Sequence, residues 1–154
     1  MTNVELFTGR VAEVTAAIAG RTLDKALEQQ LNTEFPASGA FFGAIRAACE
    51  AAIAAGWMCN QGEGARKFGR IVQPSPTTNN FSIDVVDITD LIGPHHRHPT
   101  GEIDMIMPLT PGACFDGRGQ GWLVYPPGSA HRPTVSDGRA LILYLLPNGE
   151  IEFT

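Results

Sequence analysis

Three of the chain's four histidines fall within the ten-residue stretch GPHHRHPTGE, Gly93 to Glu102. Imidazole and carboxylate together suit zinc, iron, manganese, nickel or cobalt. A His-x-His pair with an acid four residues later is therefore a candidate divalent-metal set. In extended chain His96 and His98 point to one face, and His95 and Arg97 point to the other. Pro99-Thr100-Gly101 supplies a bend, and Glu102 opens the apolar run EIDMIMPL. The fourth histidine, His131, ends a second turn-rich segment, YPPGSAH. His96, His98, Glu102 and His131 are the candidate ligands, with general acid or base as the other role open to Glu102. Asp104, two residues further on, shares the face of Glu102 and is a candidate proton-transfer group; a hydrogen-bonded structural residue is the alternative. Metal-bound histidines usually donate their second ring N–H to a carboxylate or carbonyl, for which Asp84, Asp87 and Asp104 are candidates.

The elements that must position these residues divide at about residue 60. Before it the chain reads as three helices. Val4, Phe7, Val11, Val14 and Ile18 form one apolar stripe that ends at Gly20. Thr22 is a candidate cap for a helix carrying Leu23, Leu27 and Leu31, which Pro36 stops. A third helix runs from Ser38 through AFFGAIRAACEAAIAA to Gly56, its alanines permitting close approach of another helix or a second subunit. WMCNQGEGARK, polar and glycine-bearing, marks the boundary. The expected organisation is a helical segment, 1–60, packed on a barrel, 61–154, in one compact domain. About eight short strands follow, among them RKFGRIVQP, FSIDVVDIT, EIDMIMPL, GWLVY and RALILYLLP, separated by Gly, Pro, Asp and Asn. In FSIDVVDIT, Phe81, Ile83, Val85 and Asp87 share one face, and Asp84 and Val86 the other. With no helices between strands, the pattern predicts a mainly β antiparallel sandwich or barrel rather than a parallel α/β fold.

At 154 residues, 44% apolar and 18% charged, the chain has the composition of one globular domain. Its formal charge of −5 argues against a nucleic-acid or anionic-membrane surface. Three cysteines, Cys49, Cys59 and Cys114, without CxxC spacing fit a reduced, cytoplasmic protein better than a disulfide scaffold. No apolar run approaches membrane-spanning length, and no signal-type leader opens the chain. Exposed helices and edge strands on so small a barrel suggest a homodimer or higher homo-oligomer.

Gly93, His96-x-His98-x-x-x-Glu102 and then Pro126-x-Gly128-x-x-His131 are similar to the two motifs of the cupin superfamily. That resemblance implies a double-sheet (jelly-roll) barrel in which the four side chains converge on one metal. A longer resemblance joins GRIVQPSP, FSIDVV, HRHPTGEIDM, an FDG turn and GWLVYPPGSAHRPTVSDGRALILYLLPNGEIEF. Together these resemble the 4-hydroxylaminobenzoate lyase family. The family's reaction converts 4-hydroxylaminobenzoate to protocatechuate (3,4-dihydroxybenzoate) and ammonia in bacterial 4-nitrobenzoate degradation. A small aromatic carboxylate substrate then asks for a guanidinium. Arg66 and Arg70 share the parity of Phe68, and Arg70 is the first choice; Arg97 and Arg132 turn away from the metal. Tyr125, with Trp122, is a candidate aromatic wall. The same ligand set would serve another metal-dependent cupin enzyme, a dioxygenase or isomerase of a small acid, or a non-enzymatic ligand-binding cupin.

Overall fold

The computed structural model describes residues 1–154. Its helices are α1 (Asn3–Ile18), α2 (Lys25–Glu34) and α3 (Ala40–Ala55). Ten strands follow: β1 (Gln61–Glu63), β2 (Arg66–Val72), β3 (Phe81–Ile92), β4 (His96–His98), β5 (Glu102–Pro108), β6 (Cys114–Phe115), β7 (Gly121–Tyr125), β8 (Ser129–His131), β9 (Thr134–Pro147) and β10 (Glu152–Phe153). The large sheet has the order β1-β2-β3-β9-β5-β7, with β6 also on β9; the small sheet is β10-β4-β8. The pairings are antiparallel throughout. This is an antiparallel double-sheet fold with an all-helical N-terminal segment, the mainly β architecture that the sequence predicts.

Local chemistry moves several expected boundaries. Helix α1 starts with a full capping box between Thr2 and Glu5. The cap of α2 is Asp24, not Thr22: its carboxylate accepts the Leu27 N–H at 2.9 Å, leaving Leu23 buried just outside the helix. Helix α3 starts from Gly39 rather than Ser38 and ends, as expected, on left-handed Gly56. The polar stretch after Trp57 holds the β1–β2 hairpin. SAHRPTV divides into β8 and the start of β9 because Pro133 has no N–H to give to a ladder.

The large sheet buries both faces. Ile83, Val85, Ile103, Met105, Leu143 and Leu145 point outward and join Phe7, Val14, Leu27, Leu31, Phe42 and Ile45 of the helices in one 24-residue core. Val86, Ile106, Leu123, Ile142 and Leu146 point inward and pack with Phe115 and Val135 in an 11-residue core. Along β3, Phe81, Ile83 and Val85 fall on one face and Asp84 and Val86 on the other, as alternation requires. Asp87 lies at the end of the outer face, paired with Arg139 at 2.8 Å.

Strand β7 is an edge, and α2 covers its unpaired backbone. The Asn32 amide accepts from Trp122 N at 2.9 Å and donates to Trp122 O at 3.1 Å. Glu28 accepts the Val124 N–H at 3.0 Å, and the Trp122 indole donates to Phe35 O at 2.9 Å. A helix thus satisfies groups that would otherwise recruit another strand. No helix is long and apolar enough to cross a membrane.

Candidate metal centre

Strands β4 and β8 are hydrogen-bonded neighbours in the small sheet, with His96 opposite His131 and His98 opposite Ser129. This register turns two motifs far apart in sequence into one patch of three imidazoles. Glu102 comes from the large sheet, at the first residue of β5. The bend before it depends on Gly101, which has φ +91°; a Cβ there would lie 2.7 Å from Leu23 and 2.8 Å from Tyr125 O. Gly128, at φ +83°, closes the second turn and donates its N–H to His98 O at 2.8 Å, tying the two motifs together.

The Nε2 atoms of His96, His98 and His131 lie 3.6, 3.3 and 3.6 Å from the Glu102 carboxylate, and His96 and His131 are 3.1 Å apart. One ligand atom from each of the four lies within 4.8 Å of all the others. Ligands bound about 2.1 Å from one ion stand roughly 3.0–3.4 Å apart, so the set has the size a single divalent transition metal needs. Three of the four residues are buried, and His98 Nε2 and both Glu102 oxygens have no hydrogen-bond partner. Buried polar atoms are rarely left so without a function.

The outer nitrogens are held in place. His98 Nδ1 meets Ser129 Oγ at 2.9 Å, and His131 Nδ1 meets Asp116 Oδ2 at 2.5 Å. The other Asp116 oxygen accepts the Thr134 N–H at 2.9 Å, and the Tyr125 hydroxyl also donates to Asp116. None of the three carboxylates expected to orient a histidine does so. Asp84 is bound to Arg70, Asp87 to Arg139, and both Asp104 oxygens lack a partner. Asp116 lay hidden in the FDG turn. It reaches His131 because β6 pairs with β9, Phe115 against Val135, which brings that turn beside the end of β8.

Electrostatics separate the acids. Burial works to raise the pKa of Glu102, but the contacts of His131 and His96 and the charge of His98 outweigh it and hold the group at about 2. Burial, and then the charge of Glu102, push Asp104 well above the ordinary carboxylate range. Burial lowers His98 to about 4, against the pull of Glu102. Burial would also lower His131, yet Asp116 and Glu102 raise it to about 9.

The remaining candidates are spread around this centre. Tyr125 stacks on the histidines, 4.5 Å from His131 and 5.4 Å from His98, with its hydroxyl on Asp116. Trp122 is buried in the helix-facing core. Arg70, expected to be free for a substrate carboxylate, is already engaged: it binds Asp84 at 2.9 and 3.2 Å and Gly149 O at 3.1 Å. His95 turns away to Thr154, and Arg97 pairs with Glu152 at 3.1 Å, both as alternation predicts. A cavity of about 620 Å³ is lined by Phe68, Arg70, Asp84, Tyr144 and Phe153 among others, and by none of the four candidate ligands. Its Phe153 and Tyr144 rings stand 5.8 and 6.5 Å from His96.

Residues 9–153 match the family described as PnbB, 4-hydroxylaminobenzoate lyase. A protein of that name from Nocardioides sp. (strain LMS-CY) is 31% identical over 145 residues, covering 88% of this chain and 86% of the relative. A second, from Pseudomonas putida, is 28% identical over 162 residues, covering 94% and 92%. Among solved structures, an oxalate oxidase in complex with the substrate analogue glycolate aligns with a TM-score of 0.45 and 21% identity, over 61% of this chain and 57% of that one.

Proposed function

The chain belongs to the 4-hydroxylaminobenzoate lyase family, and we propose that it converts 4-hydroxylaminobenzoate and one water to protocatechuate and ammonia. The ring is oxidised as the nitrogen is reduced from hydroxylamine to amine, so the atoms and electrons balance without an external oxidant. The observation that carries the reading is the family match across residues 9–153, joined to a buried set of three imidazoles and one carboxylate.

In this reading His96, His98, Glu102 and His131 hold one divalent transition metal. When bound, the metal supplies a Lewis acid for the hydroxylamine oxygen and hydroxide at neutral pH. Glu102, anionic by virtue of its histidine neighbours, offsets the charge of the cation. Asp116 fixes the His131 ring so that Nε2 faces inward. Asp104, kept in its protonated form by burial and by Glu102, gives a proton to the hydroxylamine oxygen as the N–O bond breaks. Water then adds to the ring carbon beside the one that carries nitrogen, and a second water displaces that nitrogen as ammonia. The carboxyl of Asp104, having lost its proton, takes one back from the first of these waters. Phe153 and Tyr144, beside His96, are walls for the aromatic ring.

The test is incubation of metal-loaded protein with 4-hydroxylaminobenzoate under nitrogen, following both products. Equal amounts of protocatechuate and ammonia are expected; no product would overturn the reading. Turnover that required oxygen would instead place the chain with oxygen-dependent enzymes that use the same ligands.

A further inference from the structure

Resting on the reading of this cavity as the substrate site, we propose that Arg66, rather than Arg70, is the residue that recognises the carboxylate of an aromatic acid. Both arginines point from β2 into the cavity, on the same side of the strand as Phe68. Their states differ. The fork of Arg70 is closed on Asp84 and on Gly149 O, so its charge is cancelled and its hydrogen-bonding geometry used. Arg66 has no carboxylate or carbonyl partner; its guanidinium carbon lies 4.2 Å from the centre of the Phe68 ring. A guanidinium stacked on an aromatic face keeps its in-plane N–H groups free for a carboxylate.

The rest of the cavity sets the direction of the ligand. Arg70, Asp84, Tyr144 and Asp104 form one cross-strand row through β2, β3, β9 and β5, and Glu102 lies one step beyond it on the inner face. The one guanidinium of that row, Arg70, is spent on Asp84 and Gly149 O, so the end nearest the histidines offers a benzoate carboxylate no free guanidinium. Phe68, Val86, Tyr144, Leu146 and Phe153 form an apolar middle suited to one aromatic ring. Arg66, opposite Glu63 in the β1–β2 register but not bound to it, provides a guanidinium on the wall. A para-substituted benzoate is thus held with its carboxylate on Arg66 and its nitrogen substituent toward the histidines. Arg66 acts as a specificity residue for the acid end, and Arg70 holds Asp84 and the Gly149 turn.

The experiment is calorimetric binding of 4-aminobenzoate and of neutral 4-aminobenzamide to the metal-loaded full chain and to three variants. Loss of a charge-assisted hydrogen-bonded pair corresponds to about 10- to 100-fold in affinity. Arg66→Met is expected to weaken 4-aminobenzoate by that factor and to leave 4-aminobenzamide unchanged; Arg66→Lys should recover part of the loss. Arg70→Met should lower the melting temperature without selective loss of the anion. Unchanged anion affinity in Arg66→Met, selective loss confined to Arg70→Met, or no anion binding by the unmutated chain would each overturn the assignment. The outcome is separable from the lyase reading, which fails on the absence of product and not on the binding of a non-reacting acid.

Discussion

Along β9, Leu141, Leu143 and Leu145 face the helices, while Ile142, Tyr144 and Leu146 face the small sheet. Apart from Asp87, paired with Arg139, the outer face is hydrocarbon from β3 to β7 and packs on three helices without an unpartnered polar side chain. On the inner face the same strands carry Asp84, Glu102, Asp104 and Tyr144, several of them buried with bare oxygens. One sheet therefore has two physical jobs. Apolar burial on the outer side supplies stability that offsets the cost of desolvating charged groups on the inner side.

That division can be broken from either side. Leu143→Ala removes a side chain 1% exposed from the outer core and should cost about 2–5 kcal/mol in denaturant unfolding. Metal stoichiometry and turnover per folded molecule should stay as they are; a lost metal would mean that the two faces are not independent. Asp116→Asn leaves the outer face intact and removes the carboxylate behind His131. Metal affinity, read by chelator competition, should fall about 10- to 100-fold. Unchanged affinity would show that Ser129 and the strand register position the ring set without Asp116.

The smallest effect is a pH slope in protein stripped of metal. His131 is raised from 6.5 to about 9, so between those values the folded chain holds a proton that the unfolded chain has lost; His98 and Glu102, lowered to about 4 and about 2, have the opposite sign but titrate below that window. The His131 contribution is fully present below about pH 6.5 and is lost as pH rises through about 9. The melting temperature of stripped protein should fall across that window. In loaded protein the slope should flatten, because the cation takes the place of the His131 proton. Parallel slopes for the two forms would contradict the placement of His131 in the ligand set.

Much of this arrangement was legible in the chain because strand periodicity is local. Alternation separates Ile83 and Val85 from Asp84 and Val86, and it turns His95 and Arg97 away from His96 and His98. Partners made by register were not legible. Arg70 meets Asp84, and the Asp116 turn meets His131, only after β2 pairs with β3 and β6 with β9. Parity could say that Arg70 faces the barrel, but not that an acid would already occupy it. Asp116 carried a turn signal alone, since Asp-Gly is common in turns whatever the carboxylate touches. The cap at Asp24 is ambiguous in the sequence for a smaller reason: Thr22 and Asp24 are both good caps, and only the packing of Leu23 decides between them.

The most direct measurement is elemental analysis and turnover, on the same samples, of unmutated protein and of Glu102→Ala and His98→Ala. The account predicts about one transition metal per chain with activity in the unmutated protein. It predicts neither metal nor activity in the variants, each still folded by virtue of the intact outer face. Full activity in a variant that has lost its metal, or a full metal complement in the absence of Glu102 and of His98, would contradict it.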